Sequence, residues 1–248
     1  MFEYNIFESN LKTKVIGRHI KYFKSTKSTN DKAVEILTNG ACHGYVIITK
    51  NQTNGKGRRG DVWFSTSGKS LTFSIIVDLK KIKNKKLLPI ISSISIVDAI
   101  QNITNIKCAI KWPNDIILND TKIGGILIES KTNYMAVGIG INVNEEQDEL
   151  NLNIKNISSS LKSNGAPLIK LENLLAKILN KFEYYCYKKN DHVIQKWIEY
   201  CYHINKRIEF HENNNIVSGI FKGINQNGQG IININKTKQI VSSGIIEL

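Results

Sequence analysis

Residues 109–142 read AIKWPNDIILNDTKIGGILIESKTNYMAVGIGIN. This stretch contains short apolar runs separated by Asn, Asp, Gly and Pro, which are typical of turns between strands. The runs cover residues 109–112, 116–118, 123–128 and 134–141. The segments on either side, residues 88–100 and 168–200, repeat apolar residues at helical spacing instead. The stretch therefore predicts a β-sheet with helices on one face.

The N-terminal third continues this alternation of helices and strands. Residues 28–30, Ser-Thr-Asn, precede an apolar pattern over residues 33–37, which predicts an amphipathic helix with a capped N-terminus. Residues 45–49 and 71–77 are apolar and β-branched and predict two strands. The polar, Gly-rich residues 51–70 between them predict a long loop. The combined pattern predicts an α/β (α+β) fold.

The periodicity changes near residue 202. From there, short strand-like runs alternate with Asn and Gly turns, at residues 207–210, 216–221, 231–234 and 239–241. About 45 residues of strands at this spacing are typical of a small barrel. We therefore expect two domains, a larger one over residues 1–201 and a small β domain over residues 202–248.

The composition is that of a globular protein. Hydrophobic residues make up 41% and charged residues 22%, which excludes the disordered and collagen-like classes. No apolar run approaches the roughly 18 to 20 residues of a membrane span, and polar residues interrupt the N-terminal segment where a signal peptide would lie. The four cysteines lack CxxC spacing and predict reduced, mostly buried thiols. We expect a cytoplasmic protein that binds no membrane.

The chain is strongly basic. Its 34 Lys and Arg against 21 Asp and Glu give a formal charge of +13. Such an excess is typical of proteins with an anionic partner, which can be nucleic acid, a phosphate-bearing substrate or an acidic protein. Many lysines lie in Lys/Asn/Ile-rich stretches such as residues 80–86, for which a solvated surface is the simpler interpretation. Charge alone leaves the partner open.

Residues 55–60 read GKGRRG and lie between two predicted strands. Glycines let backbone N–H groups approach an anion closely, and cations neutralise its charge. The segment is not a Walker A loop, because Asp61 and Val62 follow Gly60 in place of Lys and Ser or Thr. A basic surface turn or an RNA-binding Arg/Gly tract would have a similar composition. The segment predicts a phosphate or carboxylate ligand, with those two interpretations left open.

Further motifs occur in a fixed order around this loop. They are Ser28-Thr29-Asn30, Gln52, Lys111-Trp112-Pro113-Asn114-Asp115, Lys122-Ile123-Gly124-Gly125-Ile126-Leu127-Ile128-Glu129 and Val137-Gly138-Ile139-Gly140-Ile141-Asn142. The series resembles the biotin protein ligase family, in which STN, QTxGRGRxG, KWPND, KxxGILxE and GxGxN follow one another. The resemblance covers nearly the entire chain, and the ordered set is far more specific than any single motif.

The resemblance implies a monofunctional biotin protein ligase without an N-terminal DNA-binding domain. Such an enzyme uses ATP and Mg²⁺ to activate biotin as biotinyl-5'-AMP, and then passes biotin to a lysine of a biotin carboxyl carrier protein or domain. The implied fold is a mixed-sheet catalytic domain of the biotin/lipoate ligase type, related to class II aminoacyl-tRNA synthetases, with a C-terminal SH3-like barrel. Carrier domains are typically acidic, which offers a second explanation of the +13 charge. Homodimers are common in the family, although the sequence itself does not show one.

The resemblance also implies roles for single residues. Biotin would contact Ser28, Thr29, Asn30, Gln52, Gly55, Lys56, Gly57, Arg58, Lys111 and Gly138. ATP would contact Arg58, Trp63, Lys111, Lys122 and Asn142. Arg58 and Lys111 are the implied catalytic cations, since they would hold the biotin carboxylate against the α-phosphate. Gly138 and Gly140 would keep the backbone close to the ligand, and the glycine-rich loop would close as a lid. No side chain is assigned as a metal ligand.

These residues also have plainer interpretations. Ser28 and Thr29 are good helix caps. Lys111 and Lys122 could be surface lysines at strand ends, and Trp63 could be a core residue.

Two residues of the loop depart from the family pattern. Lys56 stands where the family usually has Arg, so a bidentate contact is lost there. Asp61 stands where many bacterial members have Arg, and its negative charge would lie near a phosphate site. We therefore assign no nucleotide-binding role to Asp61.

Two other functions compete with this hypothesis. A lipoate protein ligase would share the fold, but it should lack the Gly/Arg loop and carry a different C-terminal domain. A DNA-binding regulator would need a helix-turn-helix, and the 27 residues before Ser28 are fewer than the roughly 40 that a domain usually needs to fold alone. We expect no DNA binding.

Overall fold

The structure, a computed structural model, describes residues 2–38, 40, 42–150, 158–212, 215–235, 237–242 and 244–247. The helices in these ranges are α1 Tyr4–Asn10, α2 Thr29–Thr38, α3 Leu88–Thr104, α4 Leu171–Cys186 and α5 Asn190–Tyr200. The strands are β1 Ile20–Phe23, β2 Val46–Thr49, β3 Gly55–Lys56, β4 Val62–Trp63, β5 Leu71–Asp78, β6 Ala109–Lys111, β7 Asp115–Leu118, β8 Thr121–Lys131, β9 Tyr134–Ile141, β10 Arg207–Glu212, β11 Asn215–Ile224, β12 Gly230–Ile234, β13 Thr237–Val241 and β14 Ile245–Glu247. Met1 and Leu248, the ends of the two predicted domains, lie outside the described residues.

The larger domain is built on a seven-stranded sheet with the order β1-β2-β5-β9-β8-β7-β6. Strand β1 is parallel to β2, and the other neighbouring pairs are antiparallel. The sheet is therefore mixed, which confirms the predicted mixed α/β fold. Strands β5 and β9 lie at its centre, paired from Leu71 opposite Ile141 to Asp78 opposite Tyr134.

One face of the sheet carries the main core. Alternate side chains of β5, including Phe73 and Ile75, are buried in the same cluster as α3. Helix α3 is apolar nearly all round and packs against α4 and α5. By length and composition, Lys85–Thr104 is long and apolar enough to cross a membrane, so the expectation that no segment has this property is wrong. However, 72% of its most apolar window is buried in the fold.

The opposite face is only partly covered. Ala33 of α2 packs there against Ile47, Ile76 and Ala136. Helices thus lie on both faces, and the prediction of helices on one face is wrong. The physical reason is that β2 is buried at every position and its first three residues are all apolar, so its sequence gives no alternation that would reveal two covered faces. The part of this face that α2 leaves uncovered is the floor of the site.

The C-terminal strands form a five-stranded antiparallel sheet with the order β13-β12-β11-β10-β14. The four predicted strand segments are present, and β14 is an additional strand that its short sequence did not reveal. The helical segment predicted over residues 168–200 is instead two helices, α4 and α5, separated by Tyr187–Lys189.

Trp112 joins the two sheets. Its indole is buried, lies 6.3 Å from both the Phe210 and Phe221 rings, and donates from Nε1 to the Gly228 carbonyl at 3.1 Å. His203 is fully buried, with its ring edge-on to Phe221 at 4.3 Å. The motif that supplies Lys111 to the site therefore also anchors the C-terminal sheet.

The cysteines follow the sequence prediction. All four are free, and Cys108, Cys186 and Cys201 are buried while Cys42 is exposed. Burial raises the pKa of Cys108 and that of Cys201 to about 12, so both are neutral thiols.

Candidate functional site

A cleft of about 1070 Å³ lies over the uncovered face of the sheet. Nearly all of the predicted site residues line it: Ser28, Thr29, Asn30, Gln52, Lys56, Gly57, Arg58, Trp63, Lys111, Lys122, Gly138 and Asn142. Gly55 does not line the cleft. A Cβ at position 55 would lie 2.5 Å from Gln52 Nε2 and 2.3 Å from the Trp63 carbonyl oxygen. Glycine at this position therefore leaves room for Gln52 and Trp63.

The floor of the cleft is a row of glycines and small polar residues. On β9, Gly138 and Gly140 face the cleft, and a Cβ on Gly138 would lie 2.5 Å from Asn30 Oδ1. A Cβ on Gly140 would lie 2.4 Å from the Trp63 indole. The two glycines therefore let Asn30 and Trp63 lie directly on the sheet. That they keep the backbone close to a ligand stays a prediction.

One end of the cleft is buried and polar. Ser28, Thr29 and Asn30 are each 3% exposed. The Thr29 N–H donates to Gln52 Oε1 at 2.8 Å, which fixes the long loop against the start of α2. Ser28 Oγ accepts from the Asp31 N–H at 3.3 Å, so it caps α2 as well as lining the cleft. Both interpretations of Ser28 are therefore compatible.

The glycine-rich loop folds over the cleft as a small hairpin of β3 and β4, joined by a helical turn. Arg58 reaches across and donates from Nη1 to Asn114 Oδ1 at 2.9 Å. Asn114 in turn donates from Nδ2 to the Ile126 carbonyl at 3.0 Å. Lys56 forms an exposed ion pair with Asp31 at 2.6 Å. These contacts tie the loop to α2 and to the KWPND motif.

The cations of the cleft differ in whether other groups of the protein already pair with their charge. Burial, followed by the charge of Arg59, lowers the pKa of Arg58, whose guanidinium still stays protonated at neutral pH. Lys122 Nζ lies 2.7 Å from Asp115 Oδ1. Lys111 is half-buried, and within the described part of the chain its Nζ makes no hydrogen bond or ion pair. Its positive charge is therefore available to a ligand in the cleft.

Asn142 is less available than Lys111. Its Nδ2 donates to the Ser159 carbonyl at 3.0 Å, and its backbone N–H donates to the Ile123 carbonyl at 2.8 Å. Its amide therefore holds the segment after residue 157 against β8, beside the cleft.

Other residues of the site were not found from the sequence. Asn114 and Ser74 bond the predicted residues directly, and Gly244 to Glu247 form part of the wall. Polar Thr72 and Ser74 alternate with apolar residues in β5, and this signal could have revealed them. The wall from the C-terminal strand had no local signal, because only the packing of two sheets brings it there.

Few groups of potential metal ligands are close together. In the described ranges, Glu209, His211 and Glu247 have ligand atoms within 4.8 Å of one another, on the C-terminal sheet. Within the cleft, Asp115 and Glu149 are carboxylates with oxygen atoms of the kind that Mg²⁺ prefers.

Known proteins are similar to this chain in sequence and fold. Residues 22–144 match the biotin/lipoate A/B protein ligase family. The bifunctional ligase/repressor BirA of Bacillus subtilis is 30% identical over 249 residues, which cover 96% of this chain and 76% of that protein. The human biotin–protein ligase is 28% identical over 73% of this chain and 27% of its own length.

The fold is also that of a solved relative. The biotin protein ligase of Aquifex aeolicus, in complex with biotin and ATP, superposes with a TM-score of 0.80 and 25% identity over 93% of this chain and 98% of that chain. Since the chain is 30% identical to the Bacillus protein over 76% of that protein's length and shares the fold of the Aquifex enzyme over 93% of its own, it belongs to the biotin protein ligase family.

Proposed function

We propose that this chain activates biotin with ATP as biotinyl-5'-AMP, with release of pyrophosphate, and transfers the biotin to a lysine of a biotin carboxyl carrier protein or domain. One observation carries the proposal: Arg58 and Lys111 share a single cleft whose far end is lined by buried polar residues. A bicyclic ring with a polar ureido end and a carboxylate tail has the same division of chemistry.

The first half-reaction joins two anions. A carboxylate oxygen of biotin attacks the α-phosphorus of ATP, a P–O bond forms, and pyrophosphate leaves. Fixed positive charges lower this barrier, and loss of one such group costs about 10²- to 10³-fold in rate. Lys111, which has no ion-pair partner among the described residues, and Arg58 supply these charges.

The nucleotide would occupy the part of the cleft nearer β7 and β8. Trp63 lines the cleft beside Gly140, and its indole would stack on adenine. Lys122 is held by Asp115 and lies where it can turn to the β- and γ-phosphates. Asn142 acts from the same wall. Mg²⁺ would accompany ATP, and Asp115 and Glu149 are carboxylates of the cleft that could hold it.

The second half-reaction needs a neutral lysine amine from the carrier. Its nitrogen attacks the acyl carbon of the mixed anhydride, the bond to AMP breaks, and the amine loses a proton. Water would destroy the same intermediate, so the lid that carries Arg58 protects it. The +13 charge of the chain suits an acidic carrier domain.

Several finer features belong to this proposal. Residues 1–201 would be the catalytic domain, related to class II aminoacyl-tRNA synthetases, and residues 202–248 an SH3-like barrel, supported by the short antiparallel strands there. The enzyme would act in the cytoplasm, away from membranes, as a homodimer and without binding DNA. A DNA-binding role would instead give a shift on duplex DNA with a linear log-log dependence on salt.

The test is biotin-dependent exchange of labelled pyrophosphate into ATP. The wild-type chain should support exchange with biotin, and Lys111→Ala should lower it about 10²-fold or more. Lys107→Ala, which removes an exposed lysine outside the cleft, is the matched control and should exchange at the wild-type rate. Exchange with lipoate in place of biotin, or no exchange with either acid, would refute the assignment.

A further inference from the structure

A row of three strands holds Asn30 at the polar end of the cleft. Gly138 of β9 pairs with Ser74 of β5 on one side and with Leu127 of β8 on the other. Because Gly138 has no side chain, the Asn30 amide lies across it and reaches both neighbouring strands. The amide is thus fixed at both ends.

The orientation of this amide follows from its partners. Asn30 Nδ2 lies 2.7 Å from Glu129 Oε2 and 3.1 Å from the Leu127 carbonyl oxygen. A carboxylate and a carbonyl only accept hydrogen bonds, so the NH₂ group must face them. The Asn30 Oδ1 atom therefore faces Ser74.

The direction of the next two hydrogen bonds follows in turn. Ser74 is fully buried, and its Oγ lies 2.7 Å from Asn30 Oδ1 and 2.8 Å from Thr29 Oγ1. Asn30 Oδ1 has no hydrogen, so the single Ser74 proton must point to it. Ser74 Oγ must then accept from the Thr29 hydroxyl, so the Thr29 proton is used within the fold. Thr29 lines the cleft, and its oxygen can there only accept a hydrogen bond from a ligand.

We propose that Glu129 is a positioning residue that makes Thr29 a hydrogen-bond acceptor in the biotin site. The relay runs from the Glu129 carboxylate through Asn30 and Ser74 to Thr29, and it selects a ligand that presents an N–H at this point. A ureido ring does so, and a dithiolane ring does not. This inference rests on the proposed function.

Replacement of the Glu129 carboxylate weakens the constraint that fixes which groups donate and which accept in this chain of hydrogen bonds. A glutamine at position 129 can donate as well as accept, so only the Leu127 carbonyl still requires the Asn30 NH₂ group, and the amide can turn over more readily than in the wild type. Ser74 and Thr29 would then be free to reverse their hydrogen bonds, and the Thr29 proton would compete with the N–H of the ligand. The N–H of biotin would then meet a second donor, the Thr29 hydroxyl, in place of an acceptor.

The experiment measures pyrophosphate exchange with biotin and with an analogue in which the ureido N–H is N-methylated. Glu129→Gln should raise the KM for biotin about tenfold, leave kcat within about threefold and leave the KM for ATP unchanged. The preference for biotin over the analogue should fall by a similar factor. Ser74→Ala should do the same, and the double variant should be no worse than either single one, since both interrupt one relay.

Two controls separate this inference from others. Glu199→Gln, an exposed glutamate of α5 outside the cleft, should keep the wild-type KM for biotin. If Glu129→Gln does not fold, as judged by circular dichroism, Ser74→Ala carries the test alone. A wild-type chain without biotin-dependent exchange would overturn the proposed function, whereas wild-type exchange with additive effects or unchanged KM values in the variants would overturn only the relay.

Discussion

The Gly138→Ala variant tests how the polar end of the cleft is built. An ideal Cβ at Gly138 would lie 2.5 Å from Asn30 Oδ1 and 2.9 Å from its Cγ and Nδ2. Ordinary contact begins at 3.4 Å, so the amide must move by about 0.9 Å, which is 3.4 minus 2.5. The movement has no free direction along the sheet, because Ser74 and Glu129 hold the amide from both sides.

The cost can be worked from these contacts. Overpacking of a tight site typically costs about 1–3 kcal/mol, and the loss of a hydrogen bond to a charged group about 1.5–3 kcal/mol. The two overlap, since moving the amide relieves the clash, so we expect the free energy of unfolding to fall by about 2–4 kcal/mol. Biotin should bind about 10- to 100-fold more weakly, because the oriented Asn30 amide is displaced.

Urea unfolding and calorimetric titration with biotin measure the two effects. Gly125→Ala is the matched control on the neighbouring strand, since its Cβ would meet nothing closer than 3.5 Å. It should bind biotin like the wild type. A folded Gly138→Ala protein with a biotin Kd within twofold of wild type would refute the prediction, since biotin binding would then not depend on the position of the Asn30 amide over Gly138.

Three further predictions concern the lid and the junction of the two sheets. Arg58→Gly should release the adenylate and label lysines of unrelated proteins, and unchanged labelling of bystander proteins by the purified variant would contradict the lid role. Trp112→Phe removes the hydrogen bond to Gly228 but keeps a ring, and should lower the free energy of unfolding by about 0.5–1.5 kcal/mol; an unchanged urea midpoint would contradict this. Burial lowers the pKa of His203 from its ordinary 6.5 to about 3, so its contribution to stability is complete above pH 6.5 and is lost as the pH falls towards 3. In His203→Phe, the urea midpoint should change less with pH between 6.5 and 3 than in the wild type. An equal dependence of the midpoint on pH in the two proteins would refute the reasoning.

Sequence patterns predicted the fold class, and the resemblance to the biotin protein ligases implied most residues of the cleft. Short apolar runs encode strands locally, and the glycines and cations of GKGRRG encode the chemistry of an anion site. The predicted cations Arg58 and Lys111 do line one cleft. These inferences succeed because the period of a strand and the chemistry of its side chains are local properties that can be read from a few consecutive residues.

Only the tertiary structure decided which residues meet. Asn30 bonds Glu129 across 99 positions of the chain, and Arg58 bonds Asn114 across 56. Such pairs depend on the register of β5, β9 and β8, and the face on which α2 packs is not encoded in β2, where Val46, Ile47 and Ile48 are all apolar. Trp112 likewise lies among the motif residues but serves the junction with the C-terminal sheet. Sequence thus supplied the chemical groups, and long-range packing supplied their partners and directions.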